Sequence, residues 1–424
     1  GVYVPGTEAS SEEMKSLAFA IDKAGEGTLE IVSDWLDKEI EMSWMREYVE
    51  KSDCGLTVLQ TSGDAVKTIL FCEEQFLKGK NVRPQFPGRN VGMMFGLESS
   101  LHPFIGHPSY REIADLPLSE RVKIMKDPAF KEKLLNEKPN FASEIEKSMN
   151  EQGNTKSQEE IKEAANLGLK LISNYDTQFI LGDPPNYEPG KEDSIAALAK
   201  SKGIAELEVI YDEFLKNEGT NLVYACFTPY DNHKLDFVER AYSLKSSVAG
   251  GSDGGAHCGL ICDASMPTTN LSHWARDREA GKKIPIELIV RKQTKDTAET
   301  YGLFDRGEIK TGMLADLNII DFEKLNVTHP KMVYDLPLGG RRLIQTSSGY
   351  LATVKSGEVV YEAGEATGVL PGKLIRGKQT CEVKTEKERV PFIDRTLRLM
   401  SVKAFKLLWN FRKSSVKTTV VSDD

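Results

Sequence analysis

Within this 424-residue chain, Gly250-Gly251-Ser252-Asp253-Gly254-Gly255-Ala256-His257 sets one carboxylate inside a turn made almost wholly of glycine. Ser246-Ser247-Val248-Ala249, just before it, reads as the end of a buried strand, and the glycines let the backbone turn sharply and let a ligand come close. A carboxylate at a barrel strand end can take a proton from a reacting group, so Asp253 is a candidate for chemistry. An ordinary Asp-Gly turn fits the same residues. His102 and His107, five apart, could reach a metal from a loop, while their Leu-His-Pro and Gly-His-Pro settings equally suit turn-stabilising histidines. Arg89, between Gly88 and Asn90, has the planar fork that grips a carboxylate through two bonds, and also reads as a surface arginine. Cys258 and Cys262 have no second pair to complete a zinc tetrahedron and read as free thiols.

The elements that must position these residues alternate strand and helix, as a parallel α/β architecture requires. Ser10 and Glu13 form a capping box that opens a helix with Met14, Leu17, Ala18 and Ile21 on one face. Strands follow over 27–32, 56–60 and 82–86, separated by helices over 34–51 and 64–78. A long, charged, helical excursion then runs over about 98–174, too large for an ordinary connection. Beyond it come helices over 194–202 and 206–216, a strand over 221–227, a helix over 234–243 and the strand before Asp253. Helices over 267–280 and 285–301 precede short segments with turn glycines, which predict a small β-domain over 306–376 with a strand at 316–321.

Several of these segments carry a likeness beyond their local pattern. Cys262-Asp263, Pro267-Thr268-Thr269, Leu271-Ser272-His273-Trp274, Lys292-Gln293-Thr294, Asp305-Arg306-Gly307 and Gly312-Met313-Leu314-Ala315-Asp316, with Gly96-Leu97-Glu98-Ser99 and Leu181-Gly182-Asp183-Pro184-Pro185-Asn186-Tyr187 upstream, resemble the amidohydrolase superfamily. The branch they resemble is the N-acyl-D-amino-acid deacylases, over residues 1 to about 377. The resemblance implies a partial TIM-type (β/α) barrel of five C-terminal strands over 1–305 with its helical insertion, the small β-domain, and a tail over 377–424. It further implies metal-assisted attack of water on an amide carbon, with a divalent ion, zinc first, and with Asp253 as base and metal contact. His257 would orient substrate or donate to the developing oxyanion, and Arg89 would hold the carboxylate of an N-acyl amino acid. The fifth-strand position that carries a metal-binding histidine in such enzymes is Leu59-Gln60-Thr61 here, and the sixth offers Gln85. The six histidines include no pair two apart, and the chain reads as lacking the family's N-terminal half, with open strand edges that favour self-association. A catalytically silent, ligand-binding relative is therefore the alternative to a small-molecule amide hydrolase.

Composition narrows the partners. An apolar content of 40 % supports a sizeable core, and no run of membrane-spanning length is present, so cytoplasmic is the default location. The net charge of −9 conceals a basic end: residues 373–424 hold thirteen Lys or Arg against six Asp or Glu. The acidic remainder gives no support for nucleic-acid binding. Leu397, Met400, Trp409 and Phe411, interleaved with Arg395, Lys403 and Arg412, predict a basic amphipathic helix over 389–413, which suits docking on the body or contact with an anionic membrane surface.

Overall fold

The computed structural model describes residues 9–33, 38–60, 66–141, 158–252, 254–255 and 257–380. Asp253 and the amphipathic stretch over 389–413 therefore lie outside the described residues. The chain divides into two compact units, one of Gly1–Gln293 with Leu325–Ser348, the other of Thr294–Lys324 with Gly349–Asp424.

In the first unit the alternation of strand and helix appears nearly as expected. Ser10 caps helix α1 (Ser11–Ala24) by accepting from the Glu13 N–H at 3.2 Å, and Gly25 ends it in the left-handed conformation at φ 84°. Strand β1 (Thr28–Ile31), helix α2 (Lys38–Lys51), β2 (Gly55–Leu59), α3 (Val66–Leu77) and β3 (Val82–Pro87) follow. Strand β2 is buried from Gly55 to Val58 and β3 along its whole length. Such continuous burial belongs to parallel strands covered on both faces, and it explains why neither segment alternates apolar with polar residues. Trp44, Met45 and Tyr48 of α2 pack with Ala18 of α1 and with Leu56, Val58 and Val82.

The sheet is parallel with order β1-β2-β3-β7, where β7 is Val248–Gly250; Leu56 faces Val82 and Gln85 faces Val248 across its ladders. These are four parallel strands where five were expected. The strand predicted over 221–227 exists as β6 (Val223–Thr228), but it lies antiparallel between β4 (Val91–Phe95) and β5 (Gln178–Ile180) in a separate three-stranded sheet. The two strands approach closely at Gly92: a Cβ there would stand 2.4 Å from the Ala225 carbonyl oxygen and 2.6 Å from the Tyr224 ring. The fold is thus α/β, and no closed barrel forms among the described residues. Helices Pro108–Ile113, Leu118–Met125, Pro128–Asn136 and Gln158–Ile172 make up the described part of the excursion, around a core that includes Phe95, Phe104, Tyr110, Tyr211 and Phe214.

The second unit holds an antiparallel sheet of Leu317–Ile320, Tyr350–Lys355, Glu358–Glu362 and Glu365–Ala366. Lys355 pairs with Glu358 across a two-residue turn, Ser356-Gly357, with φ 53° and 85°, the geometry that matches the strand twist. The Asp316 carboxylate fixes that turn by accepting from Lys355 Nζ at 2.9 Å and from the Ser356 N–H at 2.9 Å. Among the described residues no helix is long and apolar enough to cross a membrane.

Candidate functional site

The carboxyl ends of β2, β3 and β7 bring three elements together. Gln60 follows β2 and donates its backbone N–H to Gln85 of β3 at 2.8 Å; both glutamines are buried, and Gln60 Oε1 has no hydrogen-bond partner among the described residues. Gly250 ends β7 beneath the Gln85 side chain, whose Oε1 stands 2.6 Å from where a Cβ would be. A side chain at Gly250 would have to displace the Gln85 amide, so the Gly250-Gly251 pair packs closely as well as turning. Asp253 lies three residues further on in sequence, outside the described residues.

Immediately beyond β3 the chain builds a buried polar cluster. Arg89 is 0 % exposed; its Nη2 stands 3.0 Å from Asp263 Oδ1 and donates to the Cys262 carbonyl at 3.1 Å. Its guanidinium also stacks 3.5 Å from the centre of the Tyr187 ring. Burial works against the arginine's charge, but Tyr187 and Asp263 hold its pKa above the ordinary value. Next to it, the Tyr224 hydroxyl contacts the Asn90 carbonyl at 2.8 Å and Asn90 Oδ1 at 3.0 Å. Burial raises the pKa values of Tyr187 and Tyr224, so both hydroxyls keep their protons at neutral pH.

A second ionic cluster leans on the first through one helix. The segment Asn270–Asp277 is a π-helix, a rare form that often marks functional sites. Its Trp274 donates Nε1–H to the Gly88 carbonyl at 2.6 Å, and His273 Nε2 lies 2.7 Å from Glu188 Oε2. Arg278, at the end of that helix, contacts Glu188 at 3.0 Å and Glu239 at 2.5 Å. Although burial would raise the pKa of Glu188, His273 and Arg278 hold it below the usual carboxylate range.

Tyr187, Glu188, Asp263, His273, Trp274 and Arg278, which carry both clusters, fall inside residues 186–361, the stretch matched by the model of the amidohydrolase family. Over that stretch the chain is similar to the amidohydrolases. A solved D-aminoacylase, described as defining a novel subset of amidohydrolases, aligns with 87 % of this chain and 60 % of its own at 16 % identity and a TM-score of 0.42. The chain therefore spans about 60 % of that protein's length. No curated protein matches the sequence.

The metal that the amidohydrolase likeness implies has few donors among the described residues. Gln60 and Gln85 offer neutral amides where zinc takes imidazole, thiolate or carboxylate. His102 is 1 % exposed and sits edge-on to Tyr110 and Phe214, with ring centres 4.8 and 5.8 Å away; its Nδ1 accepts from the Phe104 N–H. Burial, aided by Arg121, Arg341 and His107, pushes its pKa down to about 3, and a pocket of rings and cations repels a metal ion. His107 is buried beside Phe104 at the start of helix Pro108–Ile113. As placed, the two histidines do not fit a divalent ion, and no group of three or more His, Cys, Asp or Glu among the described residues could hold one.

The other predicted residues separate. His257 is exposed in the loop after β7, at φ 45°, and its carbonyl accepts from Leu260 and Ile261. Arg89, read as a carboxylate clamp or a surface arginine, is enclosed and faces Asp263. Sequence reasoning missed Asp263 and Tyr224 as parts of the first cluster and Glu188 as the centre of the second. The available signal was a carboxylate ending the apolar run Leu260-Ile261-Cys262, since a charge at the end of such a run needs a buried partner.

Proposed function

We propose that the protein is a hydrolase of non-peptide carbon–nitrogen bonds, akin to the N-acyl-D-amino-acid deacylases, with Asp253 as the general base. What supports this reading above all is the amidohydrolase-family match over 186–361, which includes the Gly250–His257 turn. In the proposed reaction Asp253 takes a proton from water while the water oxygen adds to the amide carbon. The carbon–nitrogen bond then breaks, and the proton passes to the departing nitrogen to give a carboxylate and an amine. His257, on the same loop, meets the substrate or its developing oxyanion. Gln60 and Gln85 supply neutral amide groups at the strand ends beneath that turn, and the Arg89–Asp263 pair fixes the chain leaving β3. The substrate class, the metal requirement and the barrel architecture of the whole protein belong to this proposal.

The test is hydrolysis of a panel of N-acyl-D-amino acids by the full chain, with and without added zinc. Asp253→Asn keeps the side-chain size but cannot accept the proton, so turnover should fall by about a hundredfold or more with an unchanged circular-dichroism spectrum. Equal turnover by the variant removes Asp253 from the mechanism. Absence of turnover by the unaltered protein on every substrate and with every ion supplied would leave the ligand-binding alternative standing.

A further inference from the structure

The start of the excursion, the chain around β5 and before β6, and the antiparallel strands Lys331–Leu336 and Gly340–Ile344 line a cavity of about 610 Å³, and Arg89, His102, His107 and His257 are not among its lining residues. It gathers stretches noted in the sequence for other reasons, Leu97-Glu98-Ser99 and Leu181-Gly182-Asp183, together with His329 to Met332. Its volume suits a small organic molecule.

The walls are apolar at Leu97, Leu181, Leu222 and Leu343, while the polar groups are mainly acceptors. Ser99 is 5 % exposed and lines the cavity, but its Oγ is sealed beneath the surface and has no hydrogen-bond partner among the described residues. Beside it, Glu98 uses one oxygen to accept from the Tyr334 hydroxyl at 2.7 Å. His329 Nδ1 lies 2.9 Å from the Pro330 carbonyl; donation there leaves Nε2 as an acceptor. Asp183 adds an exposed carboxylate. The deepest charge is already satisfied: Glu213 accepts from Lys216 at 2.6 Å and from Asn221 at 2.7 Å. Lys331 is the remaining lining cation, exposed, against Glu98 and Asp183.

An acceptor-rich, net acidic rim over leucine walls selects a ligand that brings donors and positive charge on an apolar body. We propose that this cavity binds a primary ammonium on a short aliphatic chain, with the ammonium at Glu98 and Asp183 and the chain against the leucines. The proposal is independent of Asp253 and of the hydrolase reading.

Isothermal titration of the full chain with n-hexylammonium, n-hexanol and hexanoate tests it. Saturable one-to-one binding of hexylammonium is expected, with the alcohol and the carboxylate at least about tenfold weaker. Glu98→Gln and Asp183→Asn should each weaken hexylammonium by several-fold or more and leave the melting temperature unchanged; the exposed position of Asp183 makes its variant safe for folding. Failure of hexylammonium to bind, equal or tighter binding of hexanoate, or affinities unaffected by both substitutions would each overturn the proposal.

Discussion

The Arg89 cluster at the end of β3 and the His102 pocket in the excursion bury ionisable side chains equally deeply and reach opposite protonation states. Arg89 meets a carboxylate, a carbonyl and an aromatic face, and stays charged. His102 meets aromatic rings and the charges of Arg121 and Arg341, and stays neutral. Burial opposes the charged form in both places, and the neighbour's sign decides the outcome. An enclosed charge is therefore evidence of a matched partner, whereas an enclosed histidine is evidence only of packing.

The sharpest way to break that comparison is to remove the charge from one side. Arg89→Met leaves Asp263 ionised in an enclosed space, and it should cost about 3–5 kcal/mol in urea denaturation of the first unit. Adding Asp263→Leu should recover most of the loss, because two apolar groups need no pairing. A single variant as stable as the parent would show that the pair contributes nothing, and a double variant as damaged as the single would move the cost to packing around Tyr187.

The sequence showed the parallel part of the fold well because each of its elements announces itself locally. Ser10 caps its helix as expected, and β1, β2 and β3 fall within one or two residues of their predicted spans. Where the reading failed, the deciding contact was remote. Nothing local in Asn221–Phe227 says whether its partners run parallel, and those partners, β4 and β5, come from earlier in the chain, with Gly92 of β4 close against Tyr224. The helix expected over 285–301 breaks at Thr294, with φ −120° and ψ −84°, where the two units divide. For the candidate site the chemistry-bearing residue types were visible, but their burial was not. Arg89 looked equally suited to substrate or to solvent until Asp263, distant in sequence, took it.

His102 gives the comparison its pH dependence. Its folded pKa, about 3, lies below the ordinary value of 6.5, so the unfolded chain binds a proton that the folded chain refuses. The associated stability is fully present above pH 6.5 and is lost as pH falls from 6.5 towards 3, at about 1.4 kcal/mol per pH unit at most. His107, whose pKa is also lowered by burial, adds in the same direction, with Glu137 opposing it. His102→Phe should reduce the slope of stability between pH 6.5 and 5, although losing the acceptor for the Phe104 N–H will lower the plateau. Unfolding free energies of parent and variant at three pH values decide the matter, and parallel slopes would mean that His102 titrates normally.

The smallest expected effect compares one hydroxyl from each region. Tyr224→Phe removes the contact to the Asn90 carbonyl and side chain within the charged cluster, and should cost about 1–2 kcal/mol. Tyr110→Phe, beside His102, removes a contact of 3.3 Å to the Leu97 carbonyl, which Arg121 Nη1 already meets at 2.5 Å. That carbonyl keeps a partner, so the second substitution should cost less, about 0.5–1 kcal/mol. Arg121 Nη1 also lies 2.9 Å from the Tyr110 hydroxyl, so the variant leaves an arginine donor that still has Leu97 to bond. Denaturation midpoints measured side by side give the ranking. If Tyr110→Phe proved the costlier of the two, the excursion's core would depend on its polar contacts as much as the cluster at β3 does.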